Sequence, residues 1–128
     1  LVRSRGLGDV YKRQGFIAFS PLAQGLLTNR YLKGIPEDSR IAKGGFLKKE
    51  ALTDETLKKI KALNEIATQR GQTLAEMALA WLLKDDMITS VIIGASSVAQ
   101  LNDNLQSIKN TKFTAEELEK INQIDSLK

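Results

Sequence analysis

The sequence predicts a piece of a parallel α/β fold, and three observations carry that expectation. Two short apolar runs, residues 15–20 and 90–93, read as strands, and each is closed by a turn former, Pro21 and Gly94. Runs this apolar are expected to be parallel strands buried on both faces. Four segments with helical period and recognisable caps lie between and after them. The order is strand, long connection, helix, helix, strand, helix, helix, which is the alternation a parallel sheet requires.

Taken from the start, residues 1–14 have no helical or strand period. Asp9-Val10-Tyr11-Lys12-Arg13-Gln14 resembles the translation of a transposon-adapter end from a sequencing library. The segment is therefore expected to be a non-native head, with residues 15–128 as the protein proper and its chain continuing upstream of Gly15. The first strand follows, and Ser20-Pro21-Leu22-Ala23-Gln24-Gly25 forms a turn-rich loop at its C-terminal end. In parallel α/β folds that end is where ligands bind. Residues 26–52 make a long connection, of a length that is usually functional or disordered. It contains Arg30 and Arg40, whose guanidinium groups suit phosphate, although most loop arginines are simply solvated.

Thr53 caps the next helix, whose stripe is Leu57, Ile60, Leu63, Ile66 and Ala67, with Gly71 placed to end it. Thr73-Leu74-Ala75-Glu76 is a capping box opening a helix with Leu74, Met77, Ala78, Trp81 and Leu82 inward. Trp81 reads as core, being in register with that stripe. After the second strand, Ser96 or Ser97 caps a helix with an apolar face of Val98, Leu101, Leu105 and Ile108. Its first turn offers unpaired N–H groups to an anion, and Gln100 and Asn104 share one face beside it. The same residues also read as an ordinary capped βα unit with surface amides. Thr114-Ala115-Glu116-Glu117 is a second capping box, and the final helix carries Leu118, Ile121 and Ile124. Two strands alone cannot cover both faces and edges of a parallel sheet, so the architecture is expected to be incomplete.

Composition excludes several classes. With 42% apolar and 27% charged residues the chain looks like a soluble globular domain, without a membrane-spanning apolar run, and a cytoplasmic location is the default expectation. No Cys and no His are present, which removes disulfides, Cys or His metal sites, catalytic triads and imidazole acid–base chemistry. The net charge of +4 is mostly the head's, which holds +3, so the body makes no electrostatic case for nucleic acid. A helix-turn-helix over residues 72–84 is disfavoured likewise, because its second helix has almost no basic residues.

Four blocks in order then carry a resemblance: residues 18–27, reading AFSPLAQGLL; residues 34–40, reading GIPEDSR; residues 77–83, reading MALAWLL; and Ile93-Gly94-Ala95-Ser96 with Gln100, Leu101 and Asn104. Together they resemble the aldo-keto reductases, closest to the branch of bacterial glyceraldehyde-3-phosphate reductases and potassium-channel β subunits. The resemblance runs from Gly15 to the end. It implies a (β/α)8 TIM barrel, of which this chain would supply the C-terminal portion, strands seven and eight with their helices. It also implies NADPH as cofactor, and reduction of a small aldehyde or ketone, with homo-oligomerisation of the full-length protein left open.

Residue by residue, Phe19 matches an aromatic that stacks on the nicotinamide, and Ser20, Pro21, Leu22, Ala23, Gln24 and Gly25 match the loop around the pyrophosphate. Arg30 matches a basic position on that loop. Arg40, Gly94 and Ser96 match the surroundings of the adenosine 2′-phosphate, and Gln100, Asp103 and Asn104 those of the adenosine. Ser97 departs from the Arg often found in close bacterial relatives, which weakens the case for NADPH over NADH. The family's Asp, Tyr, Lys and His tetrad lies in earlier strands, so no catalytic residue is assigned to this chain, which is expected to be inactive alone. The alternative is a non-catalytic regulatory subunit like the channel β proteins.

Overall fold

A computed structural model describes residues 15–32, 34 and 52–127. Strand β1 (Ile17–Phe19) pairs in parallel with β2 (Ser90–Ile92), with Ile17 opposite Ser90, Ala18 opposite Val91 and Phe19 opposite Ile92. Thr89 fixes the start of the pair. Its N–H donates to the Phe16 carbonyl at 2.8 Å, and its Oγ1 accepts from the Phe16 N–H at 3.0 Å. A Cβ at position 15 would meet Thr89 Oγ1 at 2.7 Å, so this close approach requires Gly15.

Among the described residues four α-helices are present: α1 (Asp54–Gln69), α2 (Leu74–Leu82), α3 (Val98–Gln106) and α4 (Ala115–Asp125). Their ends form as the sequence predicts. Thr53 Oγ1 accepts from the Thr56 N–H at α1, and Gly71 takes φ +69° just past the end of that helix. The Gly71 and Gln72 N–H groups then donate to the carbonyls of Thr68 and Ala67, satisfying two end carbonyls of the helix. Both capping boxes close reciprocally, Thr73 with Glu76 and Thr114 with Glu117.

The core lies among the helices rather than around the sheet. Ile60, Ile66 and Ala67 of α1 meet Leu74 and Met77 of α2, with Ile121 and Ile124 of α4 packed against them. Tyr31, in a 3₁₀ turn at Asn29–Tyr31, is 1% exposed and joins the described part of the long connection to Leu26 and Leu52. Arg70 ties α1 to α4. Its side chain, 3% exposed, pairs with Glu117 at 2.6 Å and donates to Gln72 Oε1 and to the Asn110 and Lys112 carbonyls. Its guanidinium lies 3.8 Å from the centre of the Phe113 ring.

Three expectations are corrected. The strands are not buried on both faces: Ile17, Phe19 and Ile92 are exposed, because no described element covers them. The apolar face of α3 is also exposed, with Val98, Leu101, Leu105 and Ile108 turned outward and Val98 75% accessible. The helix instead packs its polar side on α2, so Asn104 and the following Ser107 are the buried residues. A helical period identifies an apolar stripe but not what lies against it. Trp81 is half-buried at the edge of the core, where Lys84 Nζ sits 4.2 Å from its ring centre, while Leu79 is the fully buried neighbour.

Candidate functional site

Because β1 and β2 run parallel, the loops leaving them start side by side. The loop after β1 is the most strained part of the described backbone. Ser20, Ala23 and Gln24 take φ of +54°, +47° and +59°, and Gly25 takes +101°. A non-glycine residue held left-handed costs about 1–2 kcal/mol. Local hydrogen bonds hold the shape: Ala23 N–H to the Ser20 carbonyl at 3.1 Å, Gly25 N–H to Leu22 at 2.9 Å, and Thr28 Oγ1 donating to the Gly25 carbonyl at 2.6 Å. Strain concentrated at a strand's C-terminal end is characteristic of a ligand-binding loop.

Two adjoining clefts open there. One, of about 730 Å³, lies between the two post-strand loops and is lined by Phe19, Ser20, Pro21, Gln24, Gly25 and Gly94 among others. The second, of about 390 Å³, runs toward α3 and is lined by Asn29, Thr73, Ser97, Asp103 and Asn104 among others. Leu22, Thr28, Arg30, Ser96 and Gln100 line both, so the clefts form one groove. Each lies in the size range of small-ligand sites. Phe19 offers its ring to the wide end, being 80% exposed. Ala23, in the strained loop, does not line either cleft, and it shapes the loop backbone instead. Arg40 lies outside the described residues.

At the narrow end the polar groups are specifically arranged. Ser97, not Ser96, caps α3: its Oγ accepts from the Gln100 N–H at 3.1 Å. Gln100 reaches back, and its Oε1 accepts from both the N–H and the Oγ of Ser96, at 2.7 and 3.0 Å. One turn on, Asn104 is 2% exposed and its Nδ2 has no hydrogen-bond partner. A buried donor left unmade is costly, about 1–3 kcal/mol, so it marks a place built for an acceptor. Asp103 Oδ2 accepts from Thr73 Oγ1 at 3.5 Å, and behind it Glu76 is buried. Burial, and then the nearby Asp103 carboxyl, raise the Glu76 pKa above its ordinary value of 4.5.

Of the fourteen residues singled out from the sequence, the groove thus gathers all but Ala23 and Arg40. Thr28, Asn29 and Thr73 were missed. Thr28 and Asn29 sit beside the flagged Arg30 but carry no motif of their own, and Thr73 was read only as a cap. Among the described residues no group of three or more Cys, His, Asp or Glu is placed to hold a metal, and no helix is long and apolar enough to cross a membrane.

The groove thus gathers a strained loop, a capped helix start, an Arg and an unpartnered buried amide. A sequence model of the aldo/keto reductase family matches residues 3–126. The chain is 50% identical to the L-glyceraldehyde 3-phosphate reductase of Escherichia coli K12, over 95% of this chain and 37% of that protein. It is 40% identical to a probable voltage-gated potassium channel subunit beta of Arabidopsis thaliana, over 73% of this chain and 30% of that protein. A putative channel subunit beta of Schizosaccharomyces pombe is 36% identical over 86% of the chain. The chain therefore spans about a third of the length of the relatives it matches. It belongs to the aldo/keto reductase family.

Proposed function

Taking that family membership as the premise, we propose that residues 15–128 are the cofactor-binding C-terminal part of a (β/α)8 barrel. The full-length protein would be an NADPH-dependent cytoplasmic reductase of small aldehydes or ketones. The observation that carries this reading is the groove itself. It lies at the C-terminal ends of two parallel strands and ends at a buried amide without a partner. The exposed apolar faces of β1, β2 and α3 support it too, since neighbouring strands and helices of a barrel would cover them.

In this reading Phe19 presents a π-face to the nicotinamide, and the Ser20–Gly25 loop holds the pyrophosphate through backbone donors. Ser96, Gly94 and Arg30 face the 2′-phosphate, with Arg40 a further candidate. Gln100, Asp103 and Asn104 bind the adenosine. Bound there, the cofactor supplies hydride to a carbonyl carbon. The chain's own residues bind, orient and exclude water, and no proton transfer is assigned to them, since the family's Asp, Tyr, Lys and His tetrad belongs to earlier strands of the barrel. A regulatory subunit is the second reading, supported by the likeness to channel β subunits.

The test joins residues 15–128 to the portion of the E. coli reductase that this chain does not match. The hybrid is expected to bind NADPH and to oxidise it with small aldehydes. A folded hybrid that binds NADPH without turnover favours the regulatory reading. One that binds no dinucleotide overturns both.

A further inference from the structure

The head of α3 is already filled from within. An anion approaching it would meet the Ser96 N–H and hydroxyl first, and both donate to Gln100 Oε1. We infer that Gln100 is a displaceable latch, its amide oxygen holding the place of a phosphate oxygen, so that the groove admits a phosphate only by expelling it. The inference rests on the cofactor reading and concerns how that site discriminates between ligands.

Four features support it. The latch is short and two-pronged, and it is anchored because the same residue's N–H is capped by Ser97. Gln100 lines both clefts, so its side chain has space to leave in either direction. Asn104, four residues on and so on the same helix face, keeps a buried Nδ2 without a partner, which independently marks this end of the groove as built for a ligand. Lastly, hydrogen bonds to an anionic oxygen are roughly twice as strong as those to a neutral amide. A phosphate therefore displaces the latch, while a neutral hydroxyl in the same place does not. The latch lowers affinity for phosphate-bearing ligands and leaves others untouched.

Adenosine 2′-monophosphate and adenosine differ only by the phosphate, so the ratio of their affinities isolates the effect. The experiment titrates each into the ¹⁵N-labelled 128-residue chain and follows amide resonances. In the unaltered chain the monophosphate is expected to shift the Ser96 amide and the Gln100 side-chain amide together, whereas adenosine shifts the Asn104 side-chain amide and leaves Ser96 in place. Gln100→Met keeps the length of the side chain without its oxygen. It is expected to raise the monophosphate-to-adenosine affinity ratio about fivefold, the worth of one net hydrogen bond. Gln100→Glu fastens the latch with a charge and is expected to lower the ratio below that of the unaltered chain. A Met variant whose ratio is unchanged or reduced overturns the latch. Should that variant not fold, a Glu variant with an undiminished ratio overturns it equally. If neither nucleoside moves any groove resonance of the unaltered chain, the latch is overturned, while the cofactor reading stands or falls separately on dinucleotide binding by the hybrid.

Discussion

Asn104→Ala should make the free protein more stable and a worse binder. The side chain is 2% exposed, and its Nδ2 donates to nothing. An unmet buried donor costs about 1–3 kcal/mol. Ala is also the better helix former, by about 0.5–0.7 kcal/mol. The residue borders a cleft of about 390 Å³, so truncation enlarges an existing opening rather than creating a sealed cavity. The Ser107 N–H still donates to the carbonyl of residue 104, since that contact is backbone. After subtracting lost side-chain contacts, the expected gain is about 1–2 kcal/mol in urea unfolding. Binding responds in the opposite sense. Losing the amide's bond to a ligand should weaken NADPH about tenfold. At a concentration 100 times the unaltered Kd, NADPH stabilises the unaltered chain by about 2.7 kcal/mol and the variant by about 1.4 kcal/mol. The assay is paired urea melts with and without NADPH. A variant less stable than the unaltered chain by about 1 kcal/mol, or one with full ligand stabilisation, would refute the idea that this amide waits for an acceptor.

Two further outcomes follow from groups away from the groove. Arg70→Met removes one partner of a nearly buried ion pair, a loss of about 3–5 kcal/mol in full burial. Glu117 keeps 25% of its side chain in water, so a loss of about 2–3 kcal/mol is expected in urea unfolding, with α4 loosened first. A change below about 0.5 kcal/mol would show that the guanidinium network holds nothing in place. Glu76→Gln tests the buried carboxyl. The raised pKa means the fold favours the protonated acid, so its contribution is full below pH 4.5 and fades as pH rises through the raised value. Burial drives it upward and Asp103 of α3 adds to that, while the Thr73 N–H and Lys109, just beyond α3, oppose it. A neutral Gln keeps an oxygen for the Thr73 N–H, so the variant should gain stability over the unaltered chain as pH rises. Parallel stability–pH curves for the two would sink this reading.

The capped ends were the most legible part of the fold. Thr53, Gly71, Thr73 and Thr114 each act through hydrogen bonds within a few residues, so a local pattern suffices to find them. Most of the groove was legible for a different reason: ordered blocks around Ser20 and Gly94 matched a family, and parallel pairing brings those blocks together. What failed was anything decided by a distant neighbour. Tyr31 looks like a loop residue and is nearly the most buried side chain, because Leu26 and Leu52 close over it. Val98 and Leu105 look like core and face outward, because α2 receives the polar side of α3. Gln100 was read as a ligand contact, and only the geometry shows that its oxygen is engaged with Ser96.

Tyr31 also explains how a strained loop stays in one shape. Three left-handed non-glycine residues between Ser20 and Gln24 would relax unless something outside the loop fixed both ends. At the near end, Phe19 pairs opposite Ile92 in the sheet. At the far end, Thr28 Oγ1 holds the Gly25 carbonyl at 2.6 Å, and the next turn seats Tyr31 in the core, with its ring 3.7 Å from where a Gly25 Cβ would stand. The loop is thus strung between a strand register and a buried ring. A slip of one residue in that register would reverse the faces of Phe19 and Ile92 and separate Ser20 from Gly94. The groove therefore depends on the β1–β2 pairing and on the Tyr31 anchor, and the strain is held by contacts that touch no ligand at all.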